Sequence, residues 1–234
     1  MTDTKEQIMD AAEKCFARDG IAKASIRTII AEAGVNLGAV TYHFGSKDNL
    51  VIAVYKRRIV PISEAQLKRL SALENGEDGK SLTLRGLIEA LVIPFRKEVE
   101  RYPEFLPFMK QLSNYPNSEF RETMRTESQP FMDRIDKALL QVLPDMSDEE
   151  RIAKKHLLFT NIFFAMENQP RLARYLDKWP GADRFVDVLI SFLEGGMAKA
   201  VSSPDSPERG QREPESSFKC KINAKKFYGR INND

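Results

Sequence analysis

A short stretch of the chain, residues 25–50, combines small, hydroxyl-bearing and basic side chains: SIRTIIAEAGVNLGAVTYHFGSKDNL. Hydroxyl and imidazole groups hydrogen-bond phosphate oxygens or base edges, and small residues let a helix backbone enter a groove. Val40 of segment 36–43 and Phe44, which directly follows this segment, lie four residues apart and are expected to anchor one face in a core. The opposite face carries Gly38, Ala39, Thr41, Tyr42 and His43. The predicted chemistry is noncovalent docking against DNA.

Three polar residues predict where the helices that position this face begin. Ser25, Asn36 and Ser46 each precede a run with helical apolar spacing, so each is expected to cap a helix N-terminus. Gly34 is expected to end the first of these helices in a left-handed conformation. Lys47 follows the Ser46 cap, and its ammonium together with the free N–H groups of that first turn would bind a phosphate.

Apolar residues recur at helical spacing along nearly the whole chain, and no convincing run alternates as a strand would. The sequence therefore predicts an all-α fold, with an N-terminal three-helix helix-turn-helix unit followed by a C-terminal helical domain. The first helix is expected to begin at Thr4 as its cap, and Pro61 to kink or split the fourth. Later helices are predicted at 82–101, 104–113, 118–142, 148–167, 171–178 and 183–201.

The expected domains are 1–60, which holds the DNA-docking face, 61–201, and a disordered tail, 202–234, rich in Ser, Pro and charged residues. Net charge is only +2, with 36 Lys+Arg against 34 Asp+Glu. Any DNA affinity must therefore depend on the local placement of charge. An apolar leader segment and a stretch of membrane-spanning length are both missing, so the expected compartment is the cytoplasm.

The sequence carries no motif of an enzyme or a metal site. It lacks the GxGxxG, Walker, GxSxG and HExxH patterns. Cys15 and Cys220 form no CxxC pair, and His43 and His156 are the only histidines. We therefore expect no catalytic activity, no metal and no cofactor. His156 and the basic run 56–58 are expected on solvated helix faces.

Taken together, these residues resemble the tetracycline-repressor (TetR) family of bacterial regulators. The resemblance runs from about residue 8 to 55 and is most specific at 42–47, Tyr-His-Phe-Gly-Ser-Lys, directly after the predicted recognition helix. It implies phosphate contacts from Ser25, Thr28, Tyr42, His43 and Lys47. It implies base or groove contacts from Leu37, Gly38, Ala39 and Thr41. Leu37 stands where many members carry Lys or Arg, and Thr41 where many carry an aromatic residue, so the DNA sequence that is read should differ.

The resemblance also implies a homodimer that represses transcription at a pseudo-palindromic operator and releases it when a small-molecule inducer binds. The last two long helices of each subunit would form a four-helix bundle. The predicted dimer contacts are Phe159, Ile162, Met166, Phe185, Val188, Leu189 and Phe192. A further group of side chains either lines an apolar ligand pocket or forms ordinary core: Phe95, Phe105, Phe108, Met109, Phe131 and Phe163. Two alternatives stay open, an enzyme with a chance likeness to a DNA-binding segment and a module that binds another protein through its apolar C-terminal helices.

Overall fold

The computed structural model describes residues 3–79, 81–113, 115–175 and 181–199. Within these ranges the regular elements are helices, which confirms the predicted all-α fold, and the predicted tail 202–234 lies outside them. The α-helices are α1 (Thr4–Asp19), α2 (Ile26–Ala33), α3 (Leu37–Phe44), α4 (Lys47–Glu74), α5 (Leu84–Arg101), α6 (Phe105–Ser113), α7 (Ser118–Val142), α8 (Asp148–Tyr175) and α9 (Ala182–Ala198). A single 3₁₀ turn, Glu77–Gly79, follows α4.

Local hydrogen bonds explain where the first four helices begin. Ser25, Asn36 and Ser46 each accept a hydrogen bond from the backbone N–H three residues ahead, at 2.9–3.1 Å, which confirms three predicted caps. The prediction for α1 was wrong, because Asp3 rather than Thr4 is its cap. A carboxylate accepts hydrogen bonds strongly and is stabilised by the positive end of the helix dipole, so it displaces the neighbouring hydroxyl.

Two buried apolar clusters hold the helices together. The N-terminal cluster packs α1–α4 around Phe16 and is closed from the other side by α6, whose Phe108 stacks on Phe16 with ring centroids 5.9 Å apart. The C-terminal cluster packs α4, α5 and α7–α9 together with the start of α6. α4 contributes Leu50 to the first cluster and Leu70 to the second. The expected domain division at residue 60 therefore lies in the middle of the helix that joins both.

Two helices continue through a proline in regions where the sequence analysis allowed or predicted a break. α4 runs from Lys47 to Glu74 through Pro61, so the predicted alternative of a split does not occur. The predicted end of a helix at 167 and a new helix at 171–178 were wrong, because α8 continues through Pro170 to Tyr175. Pro61 and Pro170 are both exposed. Each proline removes one backbone hydrogen bond, to the carbonyl of Arg57 and of Met166 respectively, and the helix continues on both sides of it.

A buried ion-pair network ties α1 to α4 and α5. Arg58 is 7% exposed, and its guanidinium donates to the carboxylate of Glu13, which is 3% exposed, at 2.6 Å. The same guanidinium lies over the Tyr102 ring, 3.3 Å from its centroid. Arg57 also donates to Glu13, at 2.8 Å. The expectation of a solvated basic face at 56–58 was thus wrong for Arg57 and Arg58, because acidic residues of α1 neutralise them.

Candidate nucleic-acid interface and internal cavity

The helix α3 buries one face and exposes the other. Val40 and Phe44 are 3% and 7% exposed and anchor the helix in the N-terminal cluster, as the sequence predicted. On the exposed side, Tyr42 is 85% and Leu37 56% accessible. Side chains this apolar and this exposed on a two-turn helix are available to contact another surface.

Around Tyr42, the exposed face of α3 carries small side chains, and hydrogen bonds hold the backbone of this helix in place. Gly38 is exposed, and a Cβ at this position would lie 3.2 Å from Asn36 Oδ1, the oxygen that caps the helix. A larger residue would therefore disturb the cap. The Thr41 hydroxyl donates to the Leu37 carbonyl at 3.3 Å, and the Tyr42 and His43 rings meet edge to face at 5.1 Å. Ala39 and His43 are half-buried.

The candidate phosphate contacts at Ser25, Thr28 and Lys47 lie beside α3 at two helix N-termini. The Ser25 and Thr28 hydroxyl oxygens are 2.8 Å apart in the first turn of α2. Lys47 donates from Nζ to the Ala22 carbonyl at 3.4 Å, which brings the start of α4 next to the loop before α2. Burial lowers the pKa of Lys47, and the carboxylate of Asp48 opposes that shift. The two N-termini and this ammonium together form a positive region suited to anions.

A polar junction that the sequence did not predict connects the start of α4 to the start of α7. The Asp48 carboxylate accepts hydrogen bonds from the Tyr115 hydroxyl and from Asn117 Nδ2, the latter at 2.6 Å. Asn117 also caps α7. Burial, together with the hydrogen bond to Asp48, raises the pKa of Tyr115 to about 12. Asp48 and Tyr115 are far apart in sequence, so no local pattern signals their contact.

A cavity of about 220 Å³ lies between α4, α5, α7 and α8. Its walls are formed by Tyr55, Ile59, Ile62, Ser63, Gln66, Phe95, Ser128, Phe131, Met132, Phe159, Ile162 and Phe163. Of the six candidate pocket residues, Phe95, Phe131 and Phe163 line this cavity. Sequence reasoning missed its polar wall groups, which helical periodicity does not distinguish from other half-buried positions.

The other three candidate pocket residues lie outside the cavity wall. Phe105 is fully buried behind Phe95, with ring centroids 5.8 Å apart. Phe108 belongs to the N-terminal cluster, and Met109 packs at the border of the two clusters. These side chains act as core in the structure, which is the other alternative that the sequence left open for them.

The predicted dimer contacts divide into buried and exposed groups. Ile162, Met166 and Leu189 are between 3% and 7% exposed and belong to the C-terminal cluster of the chain itself. Phe159 and Phe185 are half-buried, and Phe159 lines the cavity. The large exposed apolar residues described on α8 and α9 are Ile152, Leu157, Phe164, Leu172, Val188 and Phe192, and of these the sequence predicted only Val188 and Phe192 as dimer contacts. α8 is apolar on more than one side, so its sequence does not reveal which side packs inward.

The described parts of the chain hold neither a candidate metal site nor a membrane-spanning helix. There, no group of three or more His, Cys, Asp or Glu side chains could hold a metal ion. His156 is exposed on α8, as expected. None of the helices in those same ranges is long and apolar enough to cross a bilayer.

Comparison with known proteins identifies the chain's relatives in sequence. The family model of bacterial regulatory proteins of the tetR family matches residues 8–54, and the model of the tetracyclin repressor-like C-terminal domain matches 85–196. The transcriptional repressor AcnR of Corynebacterium glutamicum is 28% identical over 88 residues, which are 38% of this chain and 42% of that protein. The nicotine-responsive repressor HdnoR of Paenarthrobacter nicotinovorans is 45% identical over 51 residues, 22% of this chain and 26% of that protein. The chain thus spans about half or less of these relatives.

Solved structures with the same fold cover most of the chain. The fatty acid degradation regulator FadR from Bacillus halodurans superposes with a TM-score of 0.65 at 16% identity, over 86% of this chain and 99% of that one. The SmeT–triclosan complex superposes with a TM-score of 0.59 at 19% identity, over 91% and 99%. The matched families and the relatives named above are transcription regulators and not enzymes. The two family models together match most of the length of this chain, which therefore belongs to the TetR family of bacterial regulatory proteins.

Proposed function

We propose that this chain represses transcription by binding operator DNA through the exposed face of α3 and that it leaves the DNA when a small apolar ligand binds. The observation that carries the proposal is the exposed α3 face, with Tyr42 85% accessible and the capped N-termini of α2 and α4 on either side. The family to which the chain belongs supports the same function.

The exposed groups suit two kinds of DNA contact. Gly38, Ala39 and Thr41 form a low surface that can approach base edges in the major groove, and Leu37 can contact a thymine methyl. The hydroxyls of Ser25, Thr28 and Tyr42, the His43 ring and the Lys47 ammonium suit phosphates, which fix the protein's position without reading sequence. We assign the DNA-binding role to residues 1–60 and the ligand-binding and dimerisation roles to 61–201.

The exposed apolar side of α8 and α9 supports a homodimer. Phe164 and Phe192 are 62% and 67% accessible, and the exposed Leu157 and Val188 lie seven and four residues before them, on the same face of α8 and of α9 respectively. An exposed apolar surface of this kind is stabilised when it is covered, here by the same surface of a second copy in a four-helix bundle. Such a dimer would place two α3 helices in successive major grooves, about 34–36 Å apart, on a pseudo-palindromic operator. The working compartment is then the cytoplasm, where the operator lies.

A ligand in the cavity can influence the DNA-binding face through α4. α4 carries Tyr55 and Gln66 at the cavity and Lys47 beside α3, so a ligand that favours a different tilt of α4 would move both recognition helices. A conformer with a different spacing of these helices binds the operator more weakly. A solved relative of the same fold, SmeT, was crystallised with triclosan, which supports a small-molecule site.

The proposal is tested by fluorescence anisotropy with a duplex that covers the chain's own promoter, over a range of salt concentrations. We expect Lys47→Ala to weaken binding to all sequences alike and to reduce the salt slope by about 1. Lys68→Ala is the matched control, since Lys68 is exposed on the same helix roughly 30 Å further along. Failure of the unchanged protein to bind this duplex at every salt concentration would contradict the proposal.

A further inference from the structure

We infer that the cavity between α4, α5, α7 and α8 takes an uncharged, mainly aromatic ligand of one or two rings that carries a single hydrogen-bonding group. This inference rests on the proposed function, because it names the ligand class of the same site. It depends on three observations: the absence of charge in the wall, the polar groups that face the cavity, and its size.

The twelve residues of the cavity wall include no Asp, Glu, Lys, Arg or His. Tyr55 is the one ionisable residue of these twelve, and burial, together with the nearby Glu127 carboxylate, raises its pKa to about 12, so it is neutral. The nearby Lys56 and Glu127 pair with each other at 2.8 Å. A carboxylate or ammonium in this cavity would lose its hydration without gaining an opposite charge, which is costly. The wall therefore selects against ions.

The polar wall groups are few and one of them is held in a fixed orientation. Gln66 is 6% exposed and donates from Nε2 to the Leu91 carbonyl of α5 at 2.7 Å. Because the nitrogen end is engaged, Oε1 is the acceptor that Gln66 offers to a ligand. The Tyr55 hydroxyl has no hydrogen-bond partner within the described part of the chain. Tyr55 and Gln66 are about 16 Å apart along the axis of α4, so a ligand hydroxyl can either donate to Gln66 or accept from Tyr55.

The size and lining of the cavity limit the ligand further. An apolar cavity of about 150 Å³ is large enough for benzene, whereas drug-sized pockets begin at about 300 Å³. At about 220 Å³, this cavity fits one substituted ring or two fused rings. Phe95 and Phe163 meet at 6.4 Å and Phe131 and Phe159 at 6.1 Å, in tilted and edge-to-face arrangements. These rings offer both faces and edges to an aromatic ligand.

The test is equilibrium binding of four probes of matched size to the full chain, by calorimetry: 1-naphthalenemethanol, naphthalene, 1-naphthoate and 1-naphthylmethylammonium. We expect the alcohol to bind at least about tenfold more tightly than either ion. Gln66→Met should lower the affinity for the alcohol toward that for naphthalene and leave naphthalene binding unchanged. Equal or tighter binding of either ion to the unchanged protein, or no binding of any probe, would overturn the inference.

A second variant keeps the test valid if Gln66→Met fails to fold. Met132→Lys places an ammonium in a half-buried part of the wall and should raise the affinity for naphthoate while lowering that for the alcohol. Alcohol binding that neither variant changes would mean a different site and would overturn the inference. Alcohol binding that does not release promoter DNA would support the ligand class and contradict the proposed function, so the two failures are distinguishable.

Discussion

The α3 face and the internal cavity use helices in opposite ways. α3 is short, is fixed by two apolar anchors and a cap, and carries its binding groups outward. The cavity lies between long helices whose wall groups point inward and carry no charge. The outward site depends on residues close together in sequence, whereas the inward site depends on which helices pack against each other. Local interactions therefore determine the first, and long-range packing determines the second.

α4 is the element that the two sites share. Its first turn lies beside α3 and its middle lines the cavity, and Arg58, within that middle stretch but outside the cavity wall, binds Glu13 of α1. A change in this ion pair should affect both sites, while a change within either site should affect that site alone. The predictions below test this separation.

The largest expected effect is a loss of stability, which should affect both the α3 face and the cavity. Glu13→Ala would leave the buried Arg58 with only its longer contact to the Glu98 carboxylate, at 3.8 Å, so the free energy of unfolding should fall by about 3–5 kcal/mol, as measured by urea denaturation. Asp10→Ala is the control, because Asp10 pairs with Arg57 at the surface and should contribute less than about 1 kcal/mol. Equal losses for both variants would contradict a structural role for the buried pair.

The second prediction concerns the exposed apolar side of α8 and α9. Phe192→Lys should yield monomers in sedimentation, because it places a charge in the proposed dimer contact, and operator binding should weaken by at least about 2 kcal/mol. Leu140→Lys changes a similarly apolar, 42% exposed residue on α7 and should leave the dimer intact. If Phe192→Lys stays dimeric, the contact is elsewhere.

The third prediction concerns the α3 face and separates its base contacts from its phosphate contacts. Leu37→Arg should change which base pairs are preferred, by about 1–3 kcal/mol at the affected position, without lowering the melting temperature. Tyr42→Ala should instead weaken binding to every sequence alike, because it removes a proposed phosphate contact. Binding to a panel of duplexes that differ at single positions measures both. A uniform loss with Leu37→Arg would mean that this side chain does not face the bases.

The smallest expected effect concerns the junction between the two sites. Tyr115→Phe removes the hydroxyl that donates to Asp48, so the start of α4 should be less firmly tied to α7. We expect DNA affinity without ligand to change little and the ligand's effect on DNA affinity to fall by about 1 kcal/mol. Ser118→Ala, at the exposed first position of α7, is the control. An unchanged ligand effect would exclude this junction from the coupling.

The sequence predicted those features that local physical chemistry determines. Ser25, Asn36 and Ser46 are caps because each needs only an N–H three residues away, and the two faces of α3 follow from the four-residue spacing of Val40 and Phe44. These features position the candidate DNA-binding residues, whose contacts stay predictions.

The inward site was less predictable. Phe95 and Phe108 have similar sequence surroundings, yet Phe95 lines the cavity and Phe108 stacks on Phe16 in the other cluster. Only the packing of distant helices separates them. The same holds for Asp48 and Tyr115, whose hydrogen bond joins the first turn of α4 to the loop before α7, which no local pattern connects.

A footprint on the chain's own promoter tests the central claim most directly. The account predicts two protected half-sites with centres one helical turn, about 34–36 Å, or a multiple of it apart. It also predicts that Tyr42→Ala removes this protection while the protein keeps its helical content and melting temperature. A folded protein that protects no DNA, or a Tyr42→Ala variant with an unchanged footprint, would contradict the assignment of the α3 face.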